Sequence, residues 1–140
     1  MNHKNKFKTP ILIIAWKRPK KTRELIGKIK QINPYKLYIA CDGPKNENII
    51  EDNKVKETMD ILQKSFEEVN SKKYLFSKNN QGCKIGVSNA INWFFEHERE
   101  GIILEDDCLP NESFFSFADK MLEKYFNTKK VFSITGNCFV

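Results

Sequence analysis

At 140 residues with a 40% hydrophobic share, the chain suffices for one compact domain with a real core and does not fit a second. Its 12% aromatic and 30% charged shares exclude an intrinsically disordered chain, and four cysteines without any CxxC spacing, beside only two histidines, argue against a zinc site. The excess of Lys and Arg over Asp and Glu, 24 against 18, suits an anionic partner such as nucleic acid, nucleotide or membrane surface without choosing among them, and lysines scattered over a solvated surface would give the same balance.

Residues 1–8 read as a polar tail and 9–140 as the domain. Pro10 to Trp16 is an apolar run of strand length, far short of the roughly 20 residues of a membrane helix. The basic Lys17-Arg18-Pro19-Lys20-Lys21 that follows is no signal-peptide cleavage site, so a cytoplasmic location with free thiols is expected. Thr22 to Ile32 places Leu25, Ile26, Ile29 and Ile32 on one face at helical spacing, and Asn33-Pro34 breaks that helix. Lys36 to Cys41 predicts a second strand, closed by the turn signal Asp42-Gly43-Pro44, with Lys45 to Asn53 as a loop.

Lys54 to Asn70 repeats Val55, Met59, Leu62, Phe66 and Val69 every three or four positions, an amphipathic helix whose stripe belongs to the core. Tyr74-Leu75-Phe76 predicts a third strand and Ser77 to Ile85 a polar loop, and Val87, Ala90, Ile91, Phe94 and Phe95 mark the next helix. Gly101 ends it, and Ile102-Ile103-Leu104 is a fourth strand running into Glu105-Asp106-Asp107. Pro110 and Asn111 open a helix expected to turn Phe114, Phe117, Ala118, Met121, Leu122 and Tyr125 inward, and Val131 to Thr135 is expected as a fifth strand.

This alternation predicts an α/β fold, a Rossmann-like open and mostly parallel sheet with helices on both faces, whose ligands bind outside the carboxyl ends of the strands. The polar groups at those ends are Lys17 and Arg18, Asp42, the Asn79 to Gly86 loop, and Glu105 to Asp107. Cations and an acidic cluster on one edge suit an anionic ligand that carries a metal. Three consecutive carboxylates repel one another unless a cation or hydrogen bonds offset them. A hard ion such as Mg²⁺ or Mn²⁺ would do so, completed by water and substrate phosphates, although a solvated acidic turn is the plainer reading of the run alone. Gly82 to Gly86 opens a helix whose free N–H groups suit an anion, or simply a loop needing small residues. His3 and His97 receive no role, and Trp16 and Trp93 read as core or rim aromatics.

Gly101-Ile-Ile-Leu-Glu-Asp-Asp-Cys-Leu-Pro-Asn-Glu-Ser-Phe-Phe resembles the metal-binding segment of GT-A glycosyltransferases and is most similar to the N-acetylglucosaminyltransferase I family. Pro10 to Pro19, Tyr38 to Gly43, Asn79 to Asn89 and Ser133 to Asn137 resemble other pieces of that fold, so the likeness covers roughly residues 9–140. It implies transfer of a sugar from a nucleoside-diphosphate sugar, UDP-linked, to a carbohydrate or glycoconjugate acceptor, with inversion. By position it implies Asp107 as the ligand of Mn²⁺ or Mg²⁺, Glu105 and Asp106 toward the ribose and the ion's water shell, Asp42 on the nucleobase, and Arg18 near the base or diphosphate.

The family's general base would lie beyond Val140, so the chain is expected to be a donor-binding half, with an unpaired sheet edge open to self-association. A non-catalytic nucleotide-binding module would use the same site and differ in turnover. A receiver-like phosphotransfer domain needs an acidic pair where Lys17-Arg18 stands. Specific nucleic-acid binding has only the net charge behind it.

Overall fold

The computed structural model describes residues 6–136. Eight elements alternate without exception: β1 (Ile11–Ala15), α1 (Pro19–Gln31), β2 (Lys36–Cys41), α2 (Ile49–Ser65), β3 (Ser71–Phe76), α3 (Cys83–Phe95), β4 (Ile102–Glu105) and α4 (Glu112–Tyr125). The four strands form one sheet in the order β3-β2-β1-β4, every pair parallel. The expected open, Rossmann-like α/β sheet is therefore the observed fold.

Strand periodicity divides the core between the two faces of the sheet. Ile11, Ile13 and Ala15 of β1 and Leu37, Ile39 and Cys41 of β2 face one way, into a cluster with Leu25, Ile26 and Ile29 of α1, Leu62 of α2 and Phe115 of α4. Leu12, Tyr38 and Ala40 face the other way, against Ala90 and Phe94 of α3. Since α1 and α2 cover one face and α3 the other, the chain advances β1 to β3 in one direction and then returns across the sheet to β4. The strand order reverses between β1 and β4, which is where a crevice opens in sheets of this kind.

Local chemistry sets the element ends. Pro19 occupies the first turn of α1, where its missing N–H costs nothing, and Lys28 and Lys30 meet the helix C-terminus. Asn48 caps α2 by accepting from Ile50 N and Glu51 N, so the helix begins at Ile49 inside the expected loop, and it ends at Ser65 before Asn70. Helix α3 likewise begins at Cys83, within the segment expected to be loop. Tyr38 anchors α3 by its hydroxyl on Glu98 and by edge-to-face packing on Phe94 and Trp93 at 5.0 and 5.3 Å, while Lys36 reaches the same Glu98 at 2.7 Å.

Two expectations about the C-terminal part differ from the structure, the first only in part. Phe114, Ala118 and Leu122 of α4 do pack against the core, but it is Phe115, 2% exposed, that enters it, whereas Phe117 is 44% exposed, because the helix lies on the α1 face with a rotation that hydrophobicity alone did not specify. Val131 to Thr135 is not a strand. Strand propensity needs a ladder partner and a face to bury, and this segment lines a groove with residues of β4 and α4 without joining the sheet, with Phe132 fully exposed. A groove of about 730 Å³ lies there between α3, α4 and the open side of β4. His3 and Cys138 lie outside the described residues. No helix among the described residues is long and apolar enough to cross a membrane.

Candidate functional site

The carboxyl ends of the four strands carry the residues singled out in the sequence, and a cavity of about 400 Å³ opens beside them between the sheet and α3. Its floor is Ile14, Ala15, Ala40 and Cys41, its polar walls include Arg18, Asp42, Asn80, Gln81, Glu105 and Asp106, and Trp16 and Lys45 stand on its rim side. Arg18, Asp42, Glu105 and Asp106 are thus brought together on one cavity. Asp107 joins them through Arg18 without lining it.

At the reversal point between β1 and β4, the Arg18 guanidinium spans the acidic run. Its Nη1 donates to Asp106 Oδ1 at 2.8 Å and to Asp107 Oδ2 at 2.8 Å. Asp106 is 3% exposed, and its Oδ2 accepts from the backbone N–H of Trp16 at 2.9 Å. Asp106 N in turn donates to Ile14 O at 3.0 Å, continuing the β1–β4 ladder into the site. Hydrogen bonding and charge from Asp106 hold Arg18 above its ordinary value. The repulsion expected to call for a divalent cation is therefore offset within the chain by one guanidinium, 88 residues away and with no pairing signal in the local pattern.

Among the described residues no group of three His, Cys, Asp or Glu side chains converges as a metal cage. Mg²⁺ and Mn²⁺ bound with a diphosphate do not require one, since one or two carboxylates plus phosphate and water complete their shells. Asp107 suits that limited role: it is 42% exposed on its side chain and gives only Oδ2 to Arg18. Glu105 is exposed on the face of β4 that turns toward the cavity.

Asp42 is held differently from the others. Its carboxylate accepts from Gly43 N at 2.8 Å, Asn80 Nδ2 at 2.9 Å, Gln81 N at 2.9 Å and Gly82 N at 3.1 Å, knitting the β3–α3 loop to the end of β2. Of the N–H groups from Gly82 to Gly86, read from the sequence as suited to an anion, that of Gly82 meets this internal one. Gly43 makes the close approach feasible, because a Cβ there would stand 2.5 Å from the Asn79 backbone carbon.

Trp16 has a larger part than a rim aromatic. Its Nε1 donates to Gly43 O at 3.1 Å, and Lys17 Nζ lies 4.2 Å from its ring centroid while pairing with Glu51. Lys45 Nζ stands 5.6 Å from the same ring and adds a positive charge to the cavity. Neither Lys45 nor Trp16 was picked from the sequence, though both directly follow strand-end motifs, and that placement was the available signal. Cys41 is buried beneath the cavity, where burial first and the neighbouring Asp106 and Asp42 charges second push its thiol up to about 12. His97 Nδ1 donates to Trp93 O at 2.8 Å and its ring packs on Tyr38 and Trp93, away from the cavity lining.

No protein family, curated protein or solved structure matched the chain.

Proposed function

We propose that the chain binds a nucleoside-diphosphate sugar, uridine-linked, across its strand ends and is the donor-binding half of an inverting glycosyltransferase acting on a carbohydrate or glycoconjugate acceptor. The observation that carries this reading is the pairing of Arg18 with Asp106 and Asp107 at the point where the strand order reverses, on the wall of a cavity that also holds Lys45. Arg18 and Lys45 suit the two charged phosphates, and the apolar floor with the Trp16 ring suits a flat, neutral base. The Asn80 amide provides a neutral hydrogen-bonding group on the opposite wall.

Asp107 is the residue that would hold a Mg²⁺ or Mn²⁺ ion, whose chemistry when bound is Lewis-acid stabilisation of the negative charge on a departing diphosphate. Asp106, buried and doubly bonded, fixes where Arg18 stands. The edge of β4, which pairs with no further strand among the described residues and has Ile103, Phe117 and Phe132 exposed beside it, is the surface that suits self-association.

Calorimetric titration of UDP tests the reading, with Mn²⁺ present, with a chelator, and with Asp107→Ala. Binding that weakens on chelation and in Asp107→Ala supports both donor site and ion. A folded wild type that binds no nucleoside diphosphate under any of these conditions overturns it.

A further inference from the structure

Asp42 stands where a nucleotide reading places a group that meets the base, yet both of its oxygens are already engaged. Oδ1 accepts from Gly43 N at 2.8 Å and Gln81 N at 2.9 Å, while Oδ2 accepts from Asn80 Nδ2 at 2.9 Å and Gly82 N at 3.1 Å. A carboxylate offers about four lone-pair directions, and protein donors take them. Gly86 lies alongside the carboxylate, where an added Cβ would stand 3.3 Å from Oδ2. A ligand N–H reaching this carboxylate would displace a loop N–H, exchanging one hydrogen bond for another with little net gain.

The same network orients Asn80. Its Nδ2 faces two acceptors, Asp42 Oδ2 at 2.9 Å and Gly43 O at 3.2 Å, so turning the amide over would set oxygen against oxygen. Among the described residues its Oδ1 has no partner, on a residue that lines the cavity. Gln81 is fixed too, its Nε2 on Ser77 Oγ at 3.1 Å and its Oε1 on Asn89 Nδ2 at 2.7 Å. Helix α3 starts at Cys83 behind Gly82, an N-cap residue with no side chain to cap it, so the Asp42 charge also meets the positive end of that helix.

We propose that Asp42 is a positioning residue: it clamps the β3–α3 loop to the end of β2 so that the Asn80 side-chain oxygen, and not the Asp42 carboxylate, accepts the hydrogen bond from a donor on the neutral end of the ligand. This rests on the cavity being the nucleotide site. A fixed acceptor favours a ring that presents N–H over one that presents a bare nitrogen, a difference that UDP and CDP embody at the same ring position.

The test has two arms. Hydrogen exchange on the ligand-free protein compares wild type with Asp42→Asn; the Gln81 and Gly82 amides should exchange at least about tenfold faster, the loss of one charge-assisted hydrogen bond, while β1 amides are unchanged. Calorimetry with UDP and CDP should show both weakened by a common factor in Asp42→Asn, and the preference for UDP erased in Asn80→Ala. Unchanged exchange at Gln81 and Gly82 overturns the clamp, and a preference lost in Asp42→Asn but kept in Asn80→Ala assigns the contact to Asp42 instead. If Asp42→Asn fails to fold, the Asn80→Ala preference decides. If wild type binds neither nucleotide, the reading of the cavity falls, and the exchange arm still decides what Asp42 does.

Discussion

Arg18 and Asp106, 88 positions apart, meet at 2.8 Å across the junction of β1 and β4. The acid is almost wholly buried and the guanidinium about half exposed, so the pair sits between a surface and an interior ion pair. Arg18→Ala leaves Asp106 with the Trp16 N–H alone and brings Asp107 repulsion into play. The expected loss is about 1–2 kcal/mol of unfolding free energy, the interior figure discounted for solvent screening, read by urea denaturation. Because Arg18 is held above its already high ordinary value in the fold, it stays charged through the neutral range, and the deficit of the variant should be flat there. Millimolar Mn²⁺ should recover part of the stability of the variant and little for wild type, whose two carboxylates already have a counter-ion.

Gly43 and Gly27 should respond to alanine with opposite signs. A Cβ on Gly43 would stand 2.5–2.7 Å from three backbone atoms of Asn79, so the β2 and β3 loops must part, at a cost of about 1–3 kcal/mol and with disruption of the Asp42 clamp. Gly27 lies inside α1 with nothing within 4 Å of such a Cβ, and Gly27→Ala should stabilise by up to about 1 kcal/mol. Thermal melts of the two variants check both.

Asn48 caps α2 through its side-chain oxygen, 2.9 Å from Ile50 N and 3.4 Å from Glu51 N. Asn48→Ala should cost about 0.5–2 kcal/mol, and Asn48→Asp should be nearly neutral, since a carboxylate caps as well. Denaturant midpoints of the three proteins decide it.

Cys41 gives the fold an alkaline limit. Its thiol is raised from 9.0 to about 12, so the unfolded chain releases this proton first as pH rises. The contribution is whole below 9.0 and is lost as pH climbs toward about 12, at most about 1.4 kcal/mol per pH unit within that window. Tyr38 and Tyr74 are raised as well and act in the same sense, so the comparison that isolates Cys41 is the slope of stability against pH in wild type and in Cys41→Ala, which should be shallower in the variant. In a Cys138→Ser background, a thiol reagent should label Cys83 and Cys108 in the native protein and Cys41 only after denaturation.

The sequence by itself determined the alternation of strands and helices, the bounds of β2, and the arrival of Glu105-Asp106-Asp107 at a strand end, because each depends on hydrophobic period and turn residues within a few positions. It also brought Arg18, Asp42 and the acidic run to one edge, since parallel strands joined by helices must place their carboxyl ends together. Only the tertiary structure decided what those groups do to one another. That Arg18 neutralises two of the three acids, that Asp42 holds the loop of Asn80 to Gly82, and that Phe115 rather than Phe117 enters the core depend on side chains meeting across the sheet and on how helices settle on it. Val131 to Thr135 shows the same limit, for a pattern suited to a strand becomes one only where a neighbour offers a ladder and a face to bury.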